Sequence, residues 1–182
     1  MRGKSRQRNR PDTSGRAGFI TLEGYRRLEE EAAHLWNIER PKVTKAVATA
    51  AAEGDRSENA EYIYSKKKLM EIDRRLKFLG KRLEVLQIVD GVPKDDGKVY
   101  FGCWVLLLNG EGFEKTYRIV GPDETGADPD SISCDSPVAR AILGKEEGDE
   151  VFVQRPKGDI YMEIQKVYVS NPYSKEPRSS QT

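Results

Sequence analysis

KKKLMEIDRRLKFLGKRLEVL, residues 66–86, steps its large apolar residues alternately by three and four: Leu69, Ile72, Leu76, Leu79, Leu83 and Leu86. Residues three and four apart stack on one face of a helix, so this is the a/d seam of a coiled coil. A seam needs a partner. Upstream, Thr21 suits an N-cap, and Tyr25, Leu28, Ala32 and Leu35 follow at helical steps, although Gly24 in the first turn counts against that helix. After a stutter the stripe resumes at Trp36, Val43, Val47 and Ala50. Pro41 falls inside the pattern and is expected to kink the helix, because it lacks a backbone donor and crowds the preceding turn. A genuine break at Pro41 is the alternative. Glu53, Gly54 and Asp55 interrupt the stripe, and Gly54 can take the left-handed conformation that ends a helix. Two amphipathic helices joined by a few residues fold back as an antiparallel pair. With about 30 residues per arm, the hairpin is expected to reach roughly 45 Å.

The chain around this hairpin divides into four stretches: residues 1–18, 19–92, 97–170 and 171–182. In the first, Arg2, Lys4, Arg6, Arg8, Arg10 and Arg16 stand among polar residues with only Asp12 opposed, which predicts a disordered basic extension. It reads equally as a solvated tail or as a phosphate-seeking arm. The second stretch is the coiled-coil hairpin. In the third, Val99–Leu108, Lys115–Val120, Asp149–Arg155 and Ile160–Val169 are strand-like, with turns at Asn109-Gly110 and Lys157-Gly158. Ser136, Pro137 and Gly144 mark the cap, first position and end of a short helix. The expectation is an α+β chain: a helical hairpin, then a small antiparallel sheet domain with one short helix. The last stretch is a loose polar tail.

Of the 182 residues, 34% are charged and 8% aromatic, a balance that favours long solvent-washed helices over one thick core. The formal net charge is +1, so any affinity for nucleic acid must come from local clusters. No apolar run approaches the roughly 18 residues of a membrane span, and the basic N-terminus lacks a signal peptide's apolar stretch. Cys103 and Cys134 have no CxxC spacing; reduced thiols in a cytoplasmic setting are the favoured reading, with a bridge as the alternative. Nucleophile–base constellations, phosphate-binding glycine loops and metal-ligand spacings are absent, and the single histidine, His34, suits a helix surface.

Chemistry concentrates in GDRSENAEY, residues 54–62. Asp55 and Glu58 are three apart, so at a helix start their carboxylates lie on neighbouring faces of one turn, with Glu61 continuing the line. Such a pair can share a hard cation such as Mg²⁺. Asp followed three residues later by Glu is also a capping-box pattern, which spacing alone favours, and the two roles can coexist. On the returning helix Lys67, Arg74 and Lys81 recur at heptad intervals. That stripe is either a phosphate-attracting face or the ordinary solvated face of a coiled coil.

At these residues the sequence resembles the Gre family of bacterial transcript-cleavage factors over about Phe19 to Val169. GDRSENAEY at 54–62, KKKLMEIDRRLKFLGKRLE at 66–84, VYFGCWV at 99–105, RIVGPDE at 118–124 and SCDSPVARAILGKEEGD at 133–149 follow in the family's order. Arg56 and the dense basic run after it are closest to the GreB branch. The resemblance implies that the hairpin enters the secondary channel of RNA polymerase while an FKBP-like C-terminal domain docks at the channel mouth. It implies a metal-supporting role for Asp55 and Glu58, only within the polymerase complex, where they help hold a second Mg²⁺. Arg56, Ser57, Asn59 and Glu61 are the implied tip neighbours. The stripe of Lys67, Arg74 and Lys81 is expected to face the nascent RNA, and the resemblance implies that Asp135, Ser136 and Pro137 contact the polymerase. The expected function is stimulated cleavage of the 3′ end of backtracked RNA by a monomeric, cytoplasmic accessory factor that is not itself an enzyme. A channel-plugging inhibitor without cleavage and a coiled-coil nucleic-acid binder are the alternatives. The basic extension and Cys134 in the docking loop depart from the family pattern.

Overall fold

The computed structural model describes residues 18–52, 59–126, 128–156 and 158–174. In chain order the elements are β1 (Gly18–Thr21), α1 (Leu22–His34), a π-helical turn (Leu35–Glu39), α2 (Arg40–Ala52), α3 (Ala60–Val85), β2 (Leu86–Val89), β3 (Trp104–Asn109), β4 (Glu114–Val120), β5 (Ser131–Ser133), α4 (Pro137–Ile142), β6 (Glu150–Val153) and β7 (Ile160–Tyr168). They form two compact units. One holds Arg26–Leu86; the other holds Gly18–Tyr25 and the chain from Gln87 onward.

In the helical unit α2 and α3 run antiparallel. Arg40 bonds Asp73 at 2.8 Å, Lys68 lies 3.7 Å from Glu39, and Arg75 grips Glu31 with two bonds of 2.7 Å. Between Glu31 and Glu39 the partner on α3 falls from Arg75 to Lys68, and Ala50 meets Asn59 at the far end. The leucine seam is present: Ile72, Leu79 and Leu86 are buried, with Leu69, Leu76 and Leu83 half-buried between them. Ser65 continues the heptad toward the turn, where buried Ala50 is the small residue of α2. With 26 residues, α3 is roughly 40 Å long.

Two expectations about this unit change, and the alternative of a break at Pro41 falls away, because the helical run continues through it. The preceding turn widens instead: the Arg40 amide donates to the Leu35 carbonyl, five residues back. One extra residue per turn relieves both proline's missing donor and its crowding of the turn behind it. That insertion is the stutter of the apolar stripe, and it has a consequence for Trp36. The indole is 59% exposed, with the Arg40 guanidinium 5.3 Å from the ring centroid, whereas Val43 and Ala50 are buried. Lastly, α3 ends at Val85, and Leu86–Val89 leaves as a strand that pairs with β1.

The second unit is built on a five-stranded sheet of order β5-β4-β3-β7-β6. All its pairings are antiparallel except β4–β5, which is parallel, so the sheet is mixed rather than purely antiparallel. One face carries a core of Val105, Leu107, Ile119, Val151, Val153 and Ile164, closed by Ala139 and Ile142 of α4. The strand expected from Val99 starts only at Trp104. Val99 instead bonds Lys145 and Gly144, and a turn at Tyr100–Cys103 precedes the strand. Ser136 caps α4 as expected, its hydroxyl accepting from the Ala139 amide at 3.2 Å, and Gly144 follows with a φ of 76°.

Residues 18–25 belong with this unit, although the sequence assigns everything from 19 to 92 to the hairpin. The reason is Glu124. Its buried carboxylate accepts from the Thr21 amide at 3.0 Å, from the Gly121 amide at 2.8 Å and from the Thr21 hydroxyl. The Thr21 hydroxyl caps α1 as expected, accepting from the Gly24 amide at 3.0 Å. Glycine inside a helix gives up about 1 kcal/mol relative to alanine. Here it is required: a Cβ on Gly24 would lie 2.1 Å from Glu124 Oε1.

Candidate functional site

The acidic motif lies in the segment that joins α2 to α3. Asp55, Arg56, Ser57 and Glu58 lie outside the described residues, so the site is built from what flanks them. Helix α2 ends at Ala52 and α3 begins at Ala60. The N-cap of α3 is Asn59, whose Oδ1 accepts from the Tyr62 amide at 3.1 Å. Its Nδ2 donates to the Ala50 carbonyl at 2.9 Å. One side chain therefore starts the returning helix and ties it to the last turn of the outgoing one. Sequence reasoning weighed Asp55 and Glu58 as a capping box; on α3 the cap belongs to Asn59 instead. Glu61 is exposed in the first turn of α3.

Beyond the turn, Lys67, Arg74 and Lys81 are all exposed on α3. At 100° per residue, steps of seven keep them within one narrow stripe, opposite the buried line of Ser65, Ile72 and Leu79. Among the described residues none of the three takes part in an ion pair, whereas Lys68 and Arg75 nearer the seam do. Ile63 and Met70, each 53% exposed, share the outer stripe. The Lys66 ammonium sits 5.5 Å from the Tyr62 ring centroid. His34 is exposed on α1, 3.9 Å from Glu39, and stands apart from any catalytic grouping among the described residues.

In the second unit, Asp135 and Ser136 lie in the loop between β5 and α4, and Pro137 opens α4. Asp135 and Pro137 are exposed, and Ser136 is spent on the helix cap. The Asp135 amide donates to the Ser133 hydroxyl at 3.1 Å, which leaves its carboxylate outward with Arg140 3.9 Å away. Cys134, half-buried before it, is a free thiol held above its usual range by burial and by the charge of Asp135. Cys103 is also free, and burial raises it as well. Among the described residues no group of three or more His, Cys, Asp and Glu side chains could hold a metal ion, and no helix is long and apolar enough to cross a membrane.

Sequence reasoning missed Glu124, Gly24 and Gly121 as a set. RIVGPDE carried the signal, but the partners of Glu124 lie 103 residues upstream.

Two family models match the chain. The one described as transcription elongation factor, N-terminal, covers residues 19–88; that described as transcription elongation factor, GreA/GreB, C-term, covers 94–169. Transcription elongation factor GreB of Haemophilus influenzae is 58% identical over 153 residues, spanning 84% of this chain and 97% of that protein. The GreB of Pseudomonas aeruginosa is 53% identical over 152 residues, 84% of this chain and 90% of its own. A solved structure described as a prokaryotic transcription elongation factor GreA/GreB from Nitrosomonas europaea aligns over 82% of this chain and 98% of its own. Its identity is 19% and its TM-score 0.37.

Proposed function

This chain belongs to the GreA/GreB family of transcription elongation factors, and on that premise we propose that it stimulates cleavage of backtracked RNA by bacterial RNA polymerase. The hairpin of α2 and α3 enters through the secondary channel. Asp55 and Glu58, on the segment that joins the two helices, reach the polymerase's active centre. The observation that carries this reading is GDRSENAEY closed by Asn59, which turns the chain back on itself at the acidic motif.

The donor set suits a hard cation. Two carboxylates offer oxygen ligands of the kind Mg²⁺ takes, and they leave most of its shell to others, so the metal belongs to the complex with polymerase and not to this chain alone. Mg²⁺ held there with the help of Asp55 and Glu58 would supply charge stabilisation for phosphoryl chemistry. The residues of this chain supply position. Asn59 holds the turn closed, Arg56, Ser57 and Glu61 flank the acids, and the exposed stripe of Lys67, Arg74 and Lys81 draws the RNA phosphates without an internal partner to displace. Asp135, with Ser136 and Pro137, docks the second unit on the polymerase. The factor is then an accessory to the polymerase's own hydrolytic activity rather than an enzyme. It acts as a monomer in the cytoplasm.

The test is a backtracked polymerase complex with labelled RNA and Mg²⁺. The unmodified chain releases short 3′ fragments. Asp55→Asn and Glu58→Gln each slow release by about tenfold to a hundredfold, as expected for loss of a metal-supporting group, while still binding polymerase. Binding without any cleavage by the unmodified chain indicates a channel-plugging inhibitor. Binding to free nucleic acid but not to polymerase indicates a coiled-coil nucleic-acid binder.

A further inference from the structure

Gly80 stands in the interior of α3, where only proline is less favourable than glycine. Gly24 is explained by the carboxylate that fills the place of its missing methyl group. Gly80 has no such neighbour: a Cβ there would meet nothing within 4 Å, and its backbone is not left-handed. The position is exposed, so the glycine serves no packing among the described residues. It lies one heptad beyond Asp73 on the same flank of α3, with Lys77 between them. Asp73 bonds Arg40 at 2.8 Å, and the Arg40 guanidinium lies 5.3 Å from the Trp36 ring centroid. The arms run antiparallel, so stepping back from Arg40 to Trp36 runs alongside stepping forward from Asp73 toward Gly80. Trp36 and Gly80 thus share one flank of the helical unit, within about two turns of the ion pair. The π-helical turn puts the indole there, 59% exposed.

We propose that this flank is a docking surface for the protein of RNA polymerase, with Trp36 as its anchor and Gly80 as the point where the partner comes closest to the helix backbone. The charges on it favour protein over RNA. Arg40 and Asp73 cancel one another there, whereas Lys67, Arg74 and Lys81, on the outer stripe, form no ion pair among the described residues and draw phosphate. An exposed indole backed by an arginine on a neutral surface has the composition of an interface hot spot. Beside it, a helix position without a side chain lets an apolar group of the partner lie against the backbone. The inference rests on the hairpin entering polymerase, as proposed above, and adds which side of the hairpin the channel wall grips.

The experiment measures binding of the full chain to core RNA polymerase free of nucleic acid, by competition against labelled unmodified chain. Trp36→Ala is expected to raise the dissociation constant about tenfold or more, and Trp36→Phe, which keeps an aromatic face, by less than about threefold. Gly80→Ala and Gly80→Leu are expected to weaken binding by about threefold and about tenfold, as the added side chain holds the partner off. Both place a better helix former in α3, so the melting temperature of the helical signal should rise at the same time, by about 2–4 °C for Gly80→Ala. A glycine with only a structural role cannot give a more stable chain that binds less well. Trp36→Ala or Gly80→Leu binding as tightly as the unmodified chain overturns the docking flank and leaves the cleavage function standing. A loss of binding that appears only when RNA is added also overturns it, because the flank then meets nucleic acid. If the unmodified chain itself does not bind polymerase, the docking flank and the cleavage function fall together.

Discussion

Asn59 does two jobs with one amide group. Its oxygen caps α3 and its nitrogen closes the hairpin on the Ala50 carbonyl. Losing a side-chain cap costs about 0.5–2 kcal/mol. Asn59→Ala is therefore expected to cost about 1–2 kcal/mol of stability, read as a lower urea midpoint. Asn59→Asp keeps the acceptor but loses the donor to Ala50, and should cost less. A second residue sets a pH limit. Burial holds the Cys103 thiol above its ordinary value of 9.0, so the folded state keeps a proton that the unfolded chain releases. Its contribution is complete below that ordinary value and fades as pH rises through the folded one. Lys98 and Lys115, raised by hydrogen bonds to Glu146 and Asp130, act in the same direction at still higher pH. Melting temperature should accordingly fall on the alkaline side, and Cys103→Ala should flatten the first part of that fall. A melting temperature constant up to pH 11 would contradict this.

At the scale of elements, α3 is a helix with two opposed faces. Leu79 is fully buried on one, and Met70 is 53% exposed on the other. Truncating a buried leucine costs about 2–5 kcal/mol, whereas an exposed substitution usually stays within about 0.5 kcal/mol. Leu79→Ala should therefore unfold the helical unit at markedly lower denaturant and Met70→Ala should not, with helical circular dichroism as the measure. The π-helical turn at Leu35–Glu39 is the other element with consequences. It lets a proline stand inside a continuous helical run, and it rotates Trp36 and Ile38 to solvent, where Arg40 covers the indole.

For the molecule as a whole, the two units divide the labour proposed for it: one bears the acidic turn and the basic stripe, the other the docking loop. A chain with Asp55→Asn and Glu58→Gln should then still occupy polymerase and suppress cleavage by an excess of unmodified protein. Adding Asp135→Lys should abolish that suppression, because the competitor no longer docks. Suppression that survives Asp135→Lys would remove the docking role from that loop.

What the sequence determined by itself is whatever depends on neighbours within a few residues. The heptad seam of Leu69 to Leu86, the caps at Thr21 and Ser136, the stop at Gly144 and the turn at Asn109-Gly110 are all written in local spacing, because their partners are at most one helical turn or one hairpin away. The interruption between the two helical stripes was legible in the same way, but the cap of the returning helix at Asn59 was not. Tertiary structure alone decided the rest. Leu86–Val89 reads as more seam until β1 offers its edge, and three residues at 131–133 are too short to announce a strand until β4 pairs with them in parallel. Gly24 looks like a flaw in a helix until Glu124 arrives from 103 residues away to fill the space that a methyl group would have taken. A pattern in the sequence records which face of an element is apolar; what meets that face is set only when distant parts of the chain pack together.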